Sequence, residues 1–407
     1  MTKCIGILHY ASPPGVGGVE VTIAHHAHHL TLLGYTVRVI SGSGAPFNNH
    51  IDVYINPLFG SQHPDVLAVK RDLDSGIVPE AFEALVQHQL DALKIALDGC
   101  DVCIVHNIHT LNKNLPLTAA LARIEIPSIA WCHDLAWTNP QYLPELYDGY
   151  PWDLLRQVWA NTHYVTVSEA RREELATLLN VPPDFVDVIV PGVNPATFFH
   201  WTATTQQIVE RLGLLDSDGI LLLPARLTRR KNIGLALHVL HSLREHSGRD
   251  YRLIVTGPPG PHNPANPGYL GELLELRRTL NLQESAHFLY ELADPPLIPD
   301  DDTMANLYQL ADGLFFPSTQ EGFGIPILEA GLAGIPVFCS DIPPFHQTAG
   351  EDALYFDPLN EPAEQIAARI HAILDNSSVV RLRIRVRREY RWEAIIRERL
   401  VPLLEEQ

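Results

Sequence analysis

The sequence predicts an α/β protein of two Rossmann-like domains facing a central cleft, and three observations carry that expectation. Short apolar, β-rich runs recur with helical patterns between them, the grammar of a parallel sheet wrapped by helices. That grammar restarts after the polar stretch TATTQQ at 202–207. The chain has 407 residues, 46% of them hydrophobic, and no low-complexity tract, which is too much for one compact core and suits two domains of ordinary size.

The first strand is CIGILHYA (4–11), followed by a loop, Pro13-Pro14-Gly15-Val16-Gly17-Gly18-Val19-Glu20, and a helix reaching about Leu33. TVRVISG (36–42), DVCIVHN (101–107), PSIAWCHD (127–134), YVTVS (164–168) and FVDVIVPG (185–192) continue the first sheet. The second sheet reads GILLLPAR (219–226), YRLIVTG (251–257), AHFLYEL (286–292), GLFFPS (313–318), PVFCS (336–340) and ALYFDP (353–358). Helical spacing of apolar residues marks 232–246 and 304–311. The expected division is 1–200, 201–385, and a C-terminal helix over 386–407. In open sheets of this kind ligands bind beyond the carboxyl ends of the strands, so the residues just after each strand are the candidates.

Composition narrows the partners. A formal charge of −19 argues against nucleic acid and against an anionic membrane, both of which need clustered Lys and Arg. It points to a small or neutral acceptor. The five cysteines, Cys4, Cys100, Cys103, Cys132 and Cys339, are an odd number scattered through strand-like runs and read as buried, reduced thiols in a cytoplasmic protein. The start has no cleavage-type signal, and no run of about 18 apolar residues occurs.

Three segments are suited to chemistry. Gly15, Gly17 and Gly18 let the backbone approach a ligand at a helix N-terminus whose free amides suit an anion; the alternative is a tight turn that only packs the helix. The loop departs from the dinucleotide fingerprint, and Ser41-Gly42 stands where a nicotinamide ribose would want an acid. Arg226, then Arg229, Arg230 and Lys231, follow a strand and open a helix, a placement that suits clamping a diphosphate, against the plainer reading of a solvated basic loop. Glu321-Gly322-Phe323-Gly324-Ile325-Pro326-Ile327-Leu328-Glu329 puts two carboxylates at one helix entrance. A glycosidase needs its two acids on either side of one bond, whereas two from a single short segment suit hydroxyl binding.

These runs carry a resemblance. Pro317-Ser318, Glu321-Gly322-Phe323-Gly324, Glu329-Ala330, Gly334 and Pro336-Val337 resemble the E-x7-E donor signature of the retaining GT-B glycosyltransferases of family 4. Arg226 and Lys231 resemble that family's phosphate-binding pair. Gly17-Gly18-Val19-Glu20, Val167-Ser168, Pro191-Gly192-Val193-Asn194 and Tyr355-Phe356-Asp357-Pro358 extend the likeness over nearly the whole chain.

The resemblance implies roles. Glu329 holds the donor ribose, Glu321 the donor sugar's hydroxyls together with the amides around Gly322, Phe323 and Gly324, and Arg226 with Lys231 the phosphates. His133 reaches the donor sugar; the plainer alternative is a core histidine bonded to Asp134. Gly17 and Gly18 border the diphosphate and the acceptor. Transfer is front-face with retention, the leaving diphosphate taking the acceptor proton and the two cations stabilising it. The substrates are a nucleotide-diphosphate sugar, GDP-mannose or UDP-glucose foremost, and a soluble sugar or small glycoside, with no metal and no other cofactor. Trp131, Asp134, Trp137, Asn139 and Tyr142 are candidates for an acceptor platform. A homodimer is compatible with this reading. The alternatives are a nucleotide-sugar 2-epimerase on the same fold and a non-catalytic sugar-nucleotide binding module.

Other features are given structural readings. His25, His26, His28 and His29 are expected on a partly exposed helix face, because a metal held by His25 and His29 finds no third ligand. Cys100 and Cys103 have redox spacing but no second pair. Asp300-Asp301-Asp302 is expected to cap a helix. The basic tail over 381–400 is open to reading as a membrane foot, but the acidity of the chain favours its packing back on the first domain, as in the proteins it resembles.

Overall fold

The structure is a computed structural model that describes residues 3–15, 17–260 and 266–406. Val16 of the glycine loop lies outside the described residues. The chain divides into two compact units, Met1–Gly192 with Trp392–Gln407, and Val193–Arg391.

In the first unit the strands are β1 (Cys4–His9), β2 (Thr36–Ser41), β3 (Asp52–Ile55), β4 (Val102–His106), β5 (Ser128–Cys132), β6 (Thr162–Thr166) and β7 (Val186–Val188). They form one parallel sheet in the order β3-β2-β1-β4-β5-β6-β7 among the described residues. The second unit holds β8 (Gly219–Leu223), β9 (Tyr251–Val255), β10 (Ala286–Phe288), β11 (Gly313–Phe316), β12 (Val337–Ser340) and β13 (Leu354–Phe356), all parallel, in the order β10-β9-β8-β11-β12-β13.

Period-two alternation explains why both faces of each sheet are covered. Leu221, Leu223, Leu253, Val255 and Phe315 point into one core of the second unit, while Ile220, Leu222, Ile254, Leu314 and Phe316 point into another. In the first unit Ile5, Ile7, Val37, Val39 and Ile104 enter one core and Leu8, Ile40, Cys103 and Val105 the other.

The second unit begins at Val193, not at residue 201. The helix Pro195–Phe198 and the residues after it explain the shift, since Ala196, Phe199 and Trp201 pack in the second unit's core. The tail also differs from the expected single helix. The helix Ser378–Glu389 stays with the second unit, its Arg387 paired with the buried Asp312. It stops at Tyr390, whose carbonyl accepts from Val193 N at 2.7 Å. The chain re-enters the first unit at Trp392, and Trp392, Ile395, Ile396, Leu400 and Leu404 join its core.

That packing corrects the expectation for the first helix, Gly18–Leu32. His26 and His29 are buried, and His25 stacks on Trp392 with ring centroids 5.0 Å apart; of the four histidines only His28 is exposed. The cysteines need a correction too. All five are free and Cys103, Cys132 and Cys339 are buried, but Cys4 and Cys100 are half-exposed with sulfurs 3.8 Å apart. No helix among the described residues is long and apolar enough to cross a membrane.

Candidate functional site

In the second sheet the chain moves outward from β8 to β10 and then returns to start again at β11, so the order reverses between β8 and β11. In open α/β sheets such a reversal is where ligands bind, beyond the strand ends. Both charged segments singled out from the sequence follow these two strands.

After β8, the backbone passes close to the loop after β9. A Cβ on Gly257 would lie 2.4 Å from the Ala225 carbonyl oxygen and 2.7 Å from Arg226 Cα, so only glycine admits this approach. Gly257 N donates to Ala225 O at 3.1 Å and Leu227 N to Pro258 O at 2.9 Å. Arg226, held by this backbone, is exposed and has no hydrogen-bond or ion-pair partner among the described residues. The short turn Arg229–Lys231 ends at Asn232 in left-handed backbone (φ 52°), and the Asn232 amide donates to Pro358 O at 3.0 Å.

This turn is fastened to the loop after β11. Thr319 N donates to Arg230 O at 2.8 Å, and the Arg230 guanidinium donates to Gln320 O at 3.0 Å and to Glu321 Oε2 at 2.9 Å. Lys231 Nζ donates to the other Glu321 oxygen and lies 4.8 Å over the Phe316 ring. Both side chains of the Lys231–Glu321 pair are 11% exposed. Burial pushes the Glu321 carboxyl up, but Lys231, Arg230 and the Ser318 hydroxyl outweigh it and hold the group below its ordinary value. Lys231 is also pushed down, by burial first, the Glu321 carboxylate pulling the other way and the Arg230 charge adding to the fall. Glu321 is therefore an ionised, acceptor-only group wedged between two cations.

Beyond Glu321, Gly322 and Phe323 are exposed, and the helix Ile325–Ala333 begins with Pro326 in its first turn. Thr348 Oγ1 donates to Phe323 O at 2.5 Å. Gly324 has φ 98°, and a Cβ there would sit 3.0 Å from Phe345. Gly324→Ala is expected to destabilise the protein by about 1–3 kcal/mol, read as a lower midpoint of chemical denaturation. Glu329, on the same helix, is exposed, and its Oε2 accepts from the Tyr308 hydroxyl at 2.5 Å. Tyr308 is buried in the core, which pushes its hydroxyl pKa up, and the Glu329 carboxylate pushes it further.

In the first sheet the order reverses between β1 and β4. After β1, Gly17 and Gly18 begin the helix Gly18–Leu32 with no side-chain cap. After β4, Asn107 adopts left-handed backbone (φ 60°), and its Oδ1 accepts from His133 N at 2.8 Å and Asp134 N at 3.2 Å. His133 is half-buried, and its Nε2 lies 3.0 Å from His106 Nδ1. Its side-chain partner is thus His106, not Asp134, which instead stands 4.0 Å from Arg171. Burial, and then the charge of His9, lower the His133 pKa to about 4.

The aromatic acceptor platform is corrected. Trp131 is 1% exposed and belongs to the core behind the sheet, so it presents no face to a ligand. Trp137 is covered by the Arg156 guanidinium at 4.0 Å and donates to Trp152 O at 3.3 Å. Tyr142 is half-buried against the core, and Asn139 Oδ1 accepts from Gln141 N at 2.9 Å, closing its own turn. Asp300 caps the helix Asp301–Leu310 by accepting from Thr303 N at 2.8 Å. Among the described residues no group of three or more His, Cys, Asp or Glu could hold a metal ion.

Arg230, Tyr308 and His106 escaped the sequence reading. Arg230 sat inside the basic run without a distinct role, while Tyr308 and His106 lay in an apolar helix and an apolar strand.

Residues 204–391 match the family described as glycosyl transferases group 1, and residues 16–197 match glycosyltransferase family 4. The chain is 25% identical over 378 residues to a mannosylglucosylglycerate synthase of Thermotoga maritima, covering 84% of this chain and 82% of that protein. It is 30% identical over 180 residues to an uncharacterized glycosyltransferase of Methanocaldococcus jannaschii, covering 44% of this chain and 42% of the other. It is 26% identical over 271 residues to an O-antigen chain mannosyltransferase of Salmonella typhimurium, covering 66% and 64%. The chain thus spans less than half of the Methanocaldococcus protein and just under two thirds of the Salmonella one.

Proposed function

The chain belongs to the family 4 glycosyltransferases, and on that premise we propose that it moves a hexose, with retention, from a nucleotide-diphosphate sugar to a soluble sugar or small glycoside. The observation that carries the reading is the assembly beyond the ends of β8 and β11. An open Arg226 stands in sequence beside a Lys231–Glu321–Arg230 cluster, and the start of the next helix presents Glu329.

Arg226 and Lys231 take the diphosphate and stabilise the negative charge that grows on it as the glycosidic bond breaks. Glu321 accepts hydrogen bonds from the sugar's hydroxyls, and the amides around Phe323 and Gly324 add donors. Glu329, steadied by Tyr308, accepts from the ribose hydroxyls. The family resemblance assigns His133 to the sugar and Gly17 with Gly18 to the diphosphate. The acceptor attacks on the face from which the diphosphate leaves, and the diphosphate takes its proton. Relatives named for mannosyl transfer support GDP-mannose as donor, with UDP-glucose next.

Calorimetric titration with GDP, UDP and ADP tests the site. One nucleotide is expected to bind selectively, and Glu329→Ala to weaken it roughly ten- to a hundredfold, as loss of one or two hydrogen bonds to a charged acceptor implies. Failure of all three nucleotides to bind would overturn the donor reading. Turnover is expected to survive EDTA; a loss restored by Mn²⁺ would reopen Asp300, Asp301 and Asp302 as metal ligands.

A further inference from the structure

Four histidine rings gather in the first unit where β1, β4 and β5 end. His9 Nδ1 donates to the His106 carbonyl at 2.9 Å, fixing the end of β4 against β1. The His106 ring is wholly buried and near-parallel to that of His133, with centroids 5.3 Å apart. Its Nδ1 faces His133 Nε2 at 3.0 Å. Its Nε2 is buried with no hydrogen-bond partner among the described residues, and the rings of His26 and Trp131 lie 5.4 Å and 5.9 Å away. His133 Nδ1 has no partner among the described residues.

One proton must lie between the two facing nitrogens, and two arrangements of neutral rings supply it. If His133 Nε2 were the donor, His106 would carry its own proton on Nε2, a buried N–H without an acceptor. If His106 Nδ1 is the donor, its Nε2 keeps only a lone pair, beside the rings of His26 and Trp131. A buried orphan N–H is the rarer and costlier state. Protonation of both rings does not compete, since burial first, and then the neighbouring histidines, hold His106 well below its ordinary value and His133 at about 4.

We propose that His106 is a positioning residue: it donates Nδ1–H to His133 Nε2 and thereby keeps the His133 proton on Nδ1, as a hydrogen-bond donor to a hydroxyl of the bound sugar. The Asn107 side chain holds the His133 backbone, so orientation and tautomer are set by two consecutive residues at the end of β4. The second half of the inference rests on the reading that His133 meets the donor sugar; the first half does not.

Long-range ¹H–¹⁵N correlation spectra of the full chain labelled in histidine, at neutral pH, read the tautomer directly. His133→Gln assigns the resonance. The wild type is expected to show His133 protonated on Nδ1. His106→Asn retains an amide N–H near the original Nδ1 and is expected to retain that tautomer and most of the turnover, despite the smaller side chain. His106→Phe fills the volume without a donor. It is expected to remove the bias, so that both His133 tautomers appear, and to lower turnover at least about tenfold while remaining folded. A role in packing alone would reverse the ranking of the two variants. An Nε2-protonated His133 in the wild type, or a wild-type tautomer and rate in His106→Phe, overturns the proposal. A wild-type rate in His133→Gln would instead overturn the sugar contact, leaving the spectrum to decide the tautomer.

Discussion

Lys231→Ala is expected to lower turnover by about a thousandfold or more, near 4 kcal/mol of transition-state stabilisation, with the nucleotide-release rate as the measurement. Two losses combine. On the proposed donor site the diphosphate loses one of its two cations, and Glu321 loses the closer of its two charged partners while remaining largely buried. Arg230 is more exposed and stays hydrogen-bonded to Gln320 O, so it compensates only partly. Acid sensitivity supplies an independent reading of the same pair. Because Glu321 is held below its ordinary value in the folded protein, its contribution to stability is full at neutral pH and is lost as pH falls through that lowered value. In Lys231→Ala this acid-side loss should shrink. Wild-type turnover in a folded Lys231→Ala protein would remove the residue from the donor site.

Arg387→Met is expected to give the largest loss of stability. Arg387 meets Asp312 with both guanidinium ends, at 2.8 Å and 3.2 Å, and donates to Ser217 O at 3.3 Å and Leu310 O at 3.4 Å. Asp312 is completely buried, and its carboxylate also accepts from Ile220 N at 2.9 Å at the start of β8. Removing the cation leaves an uncompensated charge in the interior, which costs about 3–5 kcal/mol. For a unit of this size that is a fall of roughly 6–20 °C in midpoint temperature, measured by calorimetry. Arg387→Met combined with Asp312→Leu should recover most of it, since an apolar pair of similar volume can replace a buried ion pair. A midpoint unchanged in the single variant would show that the pair is solvated in solution.

The strands were legible because Gly219–Leu223 and its counterparts are continuous apolar runs of the length that a sheet covered on both faces requires. β3 was not, because Asp52–Ile55 is a four-residue strand at the sheet's edge with both end residues exposed and none fully buried, and so carries little apolar signal. At the candidate site, the glycines and acids of 321–329 stood out because each residue type is tied to a local backbone task. Tyr308 and His106 did not stand out, because a buried tyrosine or histidine reads as core until the partner of its polar atom is known. Trp131 shows the converse error. Its place at a strand end suggested a ligand-facing ring, but strand alternation turns it into the core behind the sheet. Arg387 was read as part of a basic tail, and only its opposition to Asp312 reveals a structural cation.

The assignment of Trp392, Ile395, Ile396, Leu400 and Leu404 to the first core bears on the order of events during synthesis. The ribosome releases Val193–Arg391 as one uninterrupted stretch that holds its whole sheet. The earlier half of the chain emerges first but waits, with the side of its leading helix around His25 and His26 uncovered, until the residues after Arg391 appear. The first unit's core is thereby completed by residues that follow the whole of the second unit in the chain. Until those residues are made, the nascent first half carries an unfinished apolar surface.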